Sequence, residues 1–460
     1  MDALAAARAF WPARQTVRVG VTGLARSGKT TLLTSLAANL LALGGGVPCL
    51  PDVSTQLAGR PLRVALSPSG EAALPRFDHA AHLAAFVADP PRWPARTEAV
   101  SLLSLDLDIG RQGFASVLPP RLLRLEFLDY PGEWLLDLPL LGQDFAAWSA
   151  ATLARLRGWA QAAPFLAFAT ALPAHAPEDE ALAREGHALY VACLRRLRDE
   201  AGLSLLQPGR FLMPPPGPPA PYLSFFPLSG TGGLTTLMAR RFEAYQAAVR
   251  RDLTAPGFGA VDRLVVLADV LSALHQGPAA FADVAAALGA VGAALRARGG
   301  AVARLPLVGP ALAPVLTPVL ALIWPALGGI VRVAYCATKA DQVARAQRGN
   351  LAALLRRMVG PLSRTEAAFA LSAARCTEDV VWTLDGRPVS AVRGRVAGEG
   401  RAGRFYPGEV PDRMPDADFW AHPFLALPDF EPLRVPLAGR GGVANLEVDR
   451  LISFLVADLL

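Results

Sequence analysis

One eight-residue string constrains this chain more than any other feature. Gly23-Leu24-Ala25-Arg26-Ser27-Gly28-Lys29-Thr30 fits G-x-x-x-x-G-K-[ST] without a mismatch. Before it, Val17, Val19 and Val21 alternate as in a strand; after it, an apolar-periodic stretch reads as a helix. Strand, Gly-rich turn and helix are the context that motif requires. Glycines let the backbone curl so that its N–H groups face phosphate, and the helix N-terminus adds partial positive charge. Gly23, Arg26, Ser27, Gly28, Lys29, Thr30 and Thr31 are therefore the expected nucleotide contacts here. Lys29 reaches the β- and γ-phosphates in such a loop, which makes it a catalytic candidate too, and the Thr30 hydroxyl holds Mg²⁺.

Lysine usage singles out the same loop. Of 45 basic residues only Lys29 and Lys339 are lysine; every other one is arginine. Where only charge or an aliphatic stem is needed, arginine serves. Lysine persists where a compact point charge on a thin stem is required. Both lysines lie in nucleotide-binding motifs, and a random pair among the 45 positions would be this one about once in a thousand.

Residues 121–134 read RLLRLEFLDYPGEW, a strand ending in D-x-x-G. Asp129 is the expected metal-side carboxylate, and the Gly132 N–H the group that reports a γ-phosphate. The strand paired with it reads as Ala99–Ile109, and Thr97 just before it is the expected second Mg²⁺ hydroxyl. Arg92 and Arg96 stand close upstream, and either is a candidate internal arginine finger. Glu133 occupies the position after the switch glycine, where Ras-like enzymes use Gln to orient water. It either acts as a base or points away from the phosphate.

Residues 329–341 read GIVRVAYCATKAD, an apolar strand ending in [NT]-K-x-D. Asp341 can accept two hydrogen bonds from guanine N1–H and its 2-amino group; adenine offers no such pair, and a buried carboxylate left unpaired is costly. The Lys339 stem would lie over the base, with Thr338 where Asn is commoner. Downstream, Phe369–Ala374 reads as a short strand ending in Ser372-Ala373, whose backbone N–H groups suit the guanine O6. The implied ligands are GTP or GDP with Mg²⁺.

These residues carry a resemblance. VTGLARSGKT (21–30), DPPRWPART (89–97), FLDYPGEWLLDLPLL (127–141), LSLLQPGRFLMP (203–214), DRLVVLADVLSAL (262–274), ATKAD (337–341) and GRFYPGEVPD (403–412) resemble the YcjX-like (DUF463) P-loop proteins of bacteria, GTP-binding members of the Ras-like GTPase class. The resemblance runs over nearly the whole chain. It implies a GTP-binding, GTP-hydrolysing protein linked to envelope or stress responses.

The expected fold is α/β: a Ras-like P-loop NTPase G domain with a mostly parallel sheet, helices on both faces and large, mainly helical insertions. The G domain is expected over 14–140 and 256–384, with an insertion at about 40–96 before switch I. A helical insertion fills 141–255, where Ala146–Ala162, Glu178–Ala201 and Thr235–Leu253 read as helices and Pro214–Pro221 as a stiff loop. The remainder, 385–460, is expected to pack on the G domain and close with a helix at Val448–Leu460.

Apolar residues make up 52% of the 460 and charged ones 18%, which excludes a disordered polyelectrolyte. The net charge of +6 is spread over scattered arginines, so solvated surface is the reading and no nucleic-acid partner is expected. Four cysteines without a CxxC, and no signal peptide, point to the cytoplasm. His79 and His82 lie one turn apart without further ligands nearby and are not read as a metal site.

Leu305–Val331 is a 27-residue uncharged run. A single crossing would put two strands of one sheet on opposite sides of a bilayer, and Pro306, Pro310, Pro314 and Pro318 break a simple helix. A buried or surface-docking segment remains, or a peripheral contact with the inner membrane through 305–328. Besides a GTPase switch with an unidentified protein partner, two readings stay open: a nucleotide-gated scaffold with negligible turnover, favoured by Glu133, and an ATP-dependent enzyme, opposed by Lys339 and Asp341.

Overall fold

The computed structural model describes residues 15–24, 26–67, 74–95, 100–113, 116, 119–214, 220–254, 261–300, 330–422, 424, 427–435 and 441–460. Seven strands form the central sheet: β1 (Gln15–Gly23), β2 (Leu62–Leu66), β3 (Ser101–Ile109), β4 (Arg121–Asp129), β5 (Arg263–Ala268), β6 (Arg332–Ala337) and β7 (Glu366–Ala370). Their order is β2-β3-β4-β1-β5-β6-β7. Five are mutually parallel from β4 to β7, and β3 runs antiparallel to both β4 and β2. This is the α/β fold with a mostly parallel sheet that the motifs require.

Parallel strands covered on both faces read as continuous apolar runs, and every residue of β5 is buried. Alternate residues serve opposite faces. Val17, Val19, Val21, Val265 and Leu267 pack with Leu32, Leu33 and Leu36 of helix α1 (Lys29–Gly44). On that side α2 (Pro51–Leu57) also packs, and α3 (His79–Val87) lies against α1. Leu264, Val266, Val333 and Tyr335 face the other side. Where β1 and β4 run side by side, Arg18 and Glu126 stand opposite each other as a buried ion pair, 2.7 Å apart.

After β4 comes one turn of helix, α4 (Gly132–Leu135), and then the insertion: α5 (Phe145–Leu156), α6 (Ala163–Ala171), α7 (Glu180–Asp199) and α8 (Gly233–Thr254). Its interior is aromatic. Trp148 stacks on Phe242 at 5.1 Å, and Phe225, Phe211, Tyr190 and Tyr245 meet edge to face around them. This cluster is continuous with the second face of the sheet, so the insertion shares the G-domain core. The same face carries α9 (Val270–Gln276), α10 (Pro278–Gly300) and α11 (Arg348–Val359).

Pro278–Leu295 of α10 is long and apolar enough to cross a membrane, but Phe281, Val284, Leu288 and Val291 are buried against the sheet side, as in a core helix. The run 305–328 lies outside the described residues.

Beyond β7, β8 (Thr377–Leu384), β9 (Arg387–Arg395) and β10 (Ala402–Phe405) form a separate antiparallel sheet, followed by α12 (Ala417–Ala421) and α13 (Val448–Val456). Val448, Leu451, Ile452, Leu455 and Val456 form one apolar face that packs on the α1 side. The end of the chain is pinned by Arg263 to Asp458 at 2.7 Å and by Arg121 to the Leu459 carbonyl at 2.5 Å.

Several boundaries differ from the sequence reading. The stretch 40–96 is not all insertion, because Leu62–Leu66 is an edge strand of the main sheet. Position 385 falls in the turn of the β8–β9 hairpin, not between domains, since Leu384 pairs with Arg387. The helix expected over Ala146–Ala162 ends at Leu156. The strand expected at Phe369–Ala374 is Glu366–Ala370, and Ser372 instead bridges to Leu446.

Candidate nucleotide site

The carboxyl ends of β1, β4, β5, β6 and β7 converge on one edge of the sheet, where open α/β sheets bind ligands. The phosphate loop leaves β1 under backbone control. Leu24 N–H donates to the Leu267 carbonyl (3.0 Å) and Ser27 N–H to Leu24 (3.2 Å). Arg26 and Gly28 take left-handed conformations, φ 61° and 84°, and α1 starts at Lys29. A side chain on Gly28 would meet nothing within 4 Å, so the space before the loop is open. Lys29 makes no ion pair among the described residues.

The D-x-x-G turn crosses this loop closely. A Cβ on Gly132 would lie 1.7 Å from the Gly23 carbonyl oxygen, so only glycine fits there. Asp129 ends β4, buried, opposite Val21 and Ser101. Register places Asp129 and Ser101 on the face that carries α1, whose first turn holds Thr30. The Ser101 hydroxyl is buried without a hydrogen-bond partner. Hydroxyl and carboxylate oxygens on one face suit a hard divalent cation such as Mg²⁺. Thr97 and Arg96 lie outside the described residues. Arg92 is exposed on the loop after α3, beside Trp93, whose indole donates to the Phe430 carbonyl at 2.7 Å.

A different arginine reaches the D-x-x-G turn. Leu24, Gly132, Glu133 and Leu136 from the G domain face Arg198, Leu203, Ser204, Leu206 and Leu212 from the insertion across a narrow crevice. Its free volume of about 10 Å³ is on the order of one water. Among the described residues that line it, Glu133 and Arg198 are the charged ones. Arg198 pairs with Asp199 at 2.8 Å. That hydrogen bond, with the Glu133 charge adding, raises the Arg198 pKa. The same bond lowers Asp199, with Arg26 of the phosphate loop among the charges that help. Arg198 escaped the sequence reading because 65 residues separate it from Glu133; its signal is its place at the end of α7.

The base side is already tied together. Thr338 N–H donates to the Ala268 carbonyl (2.9 Å), Ala340 N–H to Leu371 (3.1 Å) and Leu371 N–H to Ala337 (2.7 Å), which lashes the ends of β5, β6 and β7. Lys339, at φ 61°, places its ammonium 2.5 Å from Asp269. Asp269 also caps α9 through Ser272 N (3.0 Å) and Ser272 Oγ (2.6 Å). Asp341 is buried. Its Oδ2 accepts from Cys376 N (2.6 Å), Thr377 N (3.2 Å) and Cys376 Sγ (3.3 Å), which leaves Oδ1 outside that set. Burial, with the Asp341 charge adding, pushes the Cys376 thiol well up. Ser372 Oγ donates to the Ala374 carbonyl at 3.0 Å, and Ala373 follows at the same strand end. Sequence reasoning missed Asp269 and Cys376. Asp269 had one local signal, a helix-capping aspartate three residues before Ser272.

Residues 17–460 match the YcjX-like family, DUF463. The chain belongs to that family. Two curated relatives of this YcjX-like chain are each called Ras-like GTPase YcjX. The one from Escherichia coli K12 is 30% identical over 470 residues, covering 96% of both chains. The one from Shewanella oneidensis MR-1 is 30% identical over 483 residues, covering 96% of this chain and 94% of its own.

Proposed function

We propose that this chain binds guanine nucleotides with Mg²⁺ and hydrolyses GTP to GDP and phosphate as a slow molecular switch. The observation that carries the reading is the convergence of both lysine motifs and the D-x-x-G turn on one sheet edge. The relatives' name agrees with it. Lys29 and the loop N–H groups would bind the phosphates, and Thr30, Asp129 and Thr97 would hold Mg²⁺. That ion supplies charge neutralisation at the β- and γ-oxygens. Asp341, with the Ser372–Ala373 backbone, would read guanine, and Lys339 would cover the base.

Glu133 would orient the attacking water from the crevice. A bare carboxylate beside γ-phosphate is repelled, and Arg198 is the cation positioned to offset it. We read Arg198 in that role ahead of Arg92 or Arg96. The test is GTP turnover by wild type, Glu133→Gln and Arg198→Ala. The reading expects a change with the first and a fall of about 10-fold or more with the second. If neither variant alters a measurable wild-type rate, the catalytic assignments fail.

A second reading, a nucleotide-gated scaffold with negligible turnover, is favoured by the packing of the D-x-x-G turn and residues 133–137, the switch II of this proposal. A Cβ on Gly209 would lie 1.7 Å from the Glu133 carbonyl oxygen, so the insertion presses on this turn. Absent turnover with intact GTP binding would select it. The cytoplasmic placement, a protein partner, the envelope or stress role and the peripheral membrane contact through 305–328 are part of the same proposal. Vesicle co-sedimentation of the full chain tests the last of these.

A further inference from the structure

The motif LSLLQPGRFLMP at 203–214 belongs to no nucleotide-binding motif, yet it is seated on switch II. Gln207 Nε2 donates to the Leu136 carbonyl (2.5 Å) and Gly209 N–H to Asp137 Oδ1 (2.7 Å). Trp134 Nε1 donates back to the Met213 carbonyl at 2.6 Å. Gly209 abuts the Glu133 carbonyl so closely that no side chain fits between them. Every hydrogen bond in this set joins residues 134–137 to residues 207–213.

Arg210 lies at the centre, 1% exposed. Its guanidinium stands over the Trp134 ring at 5.1 Å and the Tyr245 ring at 5.9 Å. Nη1 donates to Asp252 Oδ2 on α8 at 2.7 Å. Nε lies 3.7 Å from Asp137 Oδ2, beyond hydrogen-bond distance, and both Nε and Nη2 are buried without a hydrogen-bond partner. Asp137, wholly buried, gives that same Oδ2 to the Tyr245 hydroxyl of α8 at 2.6 Å. Burying a guanidinium with two nitrogens unsatisfied is expensive. A shift of Asp137 by less than 1 Å would convert the 3.7 Å approach into a charge-assisted hydrogen bond. The carboxylate nearest the unsatisfied Nε, Asp137, is on switch II, the element that moves with a γ-phosphate.

We infer that Arg210 is a positioning residue for switch II: it holds Trp134 and Asp137 on one side and α8 on the other, and passes the nucleotide-dependent position of Gly132–Glu133 to the helical insertion. The inference rests on the guanine-nucleotide reading above. Arg210 touches no reacting atom; it acts through Trp134 and Asp137.

The test is amide hydrogen exchange of the full chain loaded with GDP or with a non-hydrolysable GTP analogue, in wild type, Arg210→Met and Asp252→Asn. In wild type, exchange in 207–213 and 242–252 should differ about 10-fold between the two nucleotides. Arg210→Met should reduce that difference to less than about 3-fold while 23–30 keeps its nucleotide protection. Asp252 is half exposed, so Asp252→Asn keeps the fold even where Arg210→Met does not, and it should shrink the difference in the same direction. A wild-type insertion indifferent to nucleotide, with 23–30 protected, overturns the inference. So does a full difference retained in either variant. Loss of protection at both 23–30 and 338–341 by any guanine nucleotide overturns the nucleotide reading instead.

Discussion

The two lysines stand after the carboxyl ends of β1 and β6 and are held in opposite ways. Lys29 stands at the start of α1 with no ion pair among the described residues and open space in front of Gly28. Lys339 is already paired with Asp269, and Asp341 beside it is bonded to the backbone of Cys376 and Thr377. The Lys29 end is built from backbone, in a loop held by the Leu24 and Ser27 N–H groups. The base end is ordered by the protein's own side chains. An anion brings enough charge to organise a loop of N–H groups. A neutral base does not, so its reader must be fixed in advance.

The sharpest way to break this comparison is Lys29→Ala. With no ion pair to lose among the described residues, the variant should fold normally and lose GTP and GDP affinity by about 100-fold or more, read by calorimetry. Retained affinity with an intact fold would mean Lys29 does not serve the phosphates.

Asp341→Asn should have the next largest effect. It should weaken GTP by about 10-fold to 100-fold and favour xanthosine nucleotides, which present a carbonyl where guanine presents its amino group. Because Oδ2 also holds Cys376 and Thr377, thermal stability should fall by about 1–3 kcal/mol as well. A stability loss with no change in base preference would make Asp341 a loop anchor only.

A smaller effect should follow from Asp269→Asn. Freeing Lys339 should weaken guanine nucleotides by about 3-fold to 10-fold and leave inorganic phosphate and Lys29-dependent contacts unchanged. Equal weakening of both would show that Asp269 supports the sheet edge as a whole.

The smallest effect concerns pH. Burial raises the Asp137 carboxyl from 3.8 to about 6, so its protonated form is favoured in the folded state. Its contribution to stability is present below pH 3.8 and lost as pH rises through about 6. Thermal unfolding from pH 4 to 7 should therefore show a falling component in wild type that Asp137→Asn lacks. Parallel pH profiles for the two proteins would contradict it.

What could be read from the sequence was whatever is local in the chain. The β1–loop–α1 unit, the Asp129 strand end and the Thr338–Asp341 strand end each declare themselves within about 15 residues, because periodicity and turn chemistry are short-range. Three of the insertion helices were visible for the same reason, but α6 (Ala163–Ala171) was not read. The β2 strand was not: it has five residues and a half-exposed pattern, so neither length nor alternation identified it. The end of β5 at Ala268 has no local mark either, because Asp269 caps a helix where the apolar run continues. Arg198 beside Glu133, Cys376 under Asp341 and Arg210 beneath Trp134 depend on the route of the chain between distant segments, and no local pattern encodes that. Both lysines were found from their motifs and from lysine usage, but only the structure shows which one is paired.

The most direct test is equilibrium binding of GTP, GDP and ATP to the purified chain, with and without Mg²⁺. The account predicts guanine nucleotides bound at least about 100-fold more tightly than ATP, with GTP strengthened by Mg²⁺. Equal or tighter ATP binding would mean that the Thr338–Asp341 loop does not read the base, and the guanine-nucleotide reading would fall with it.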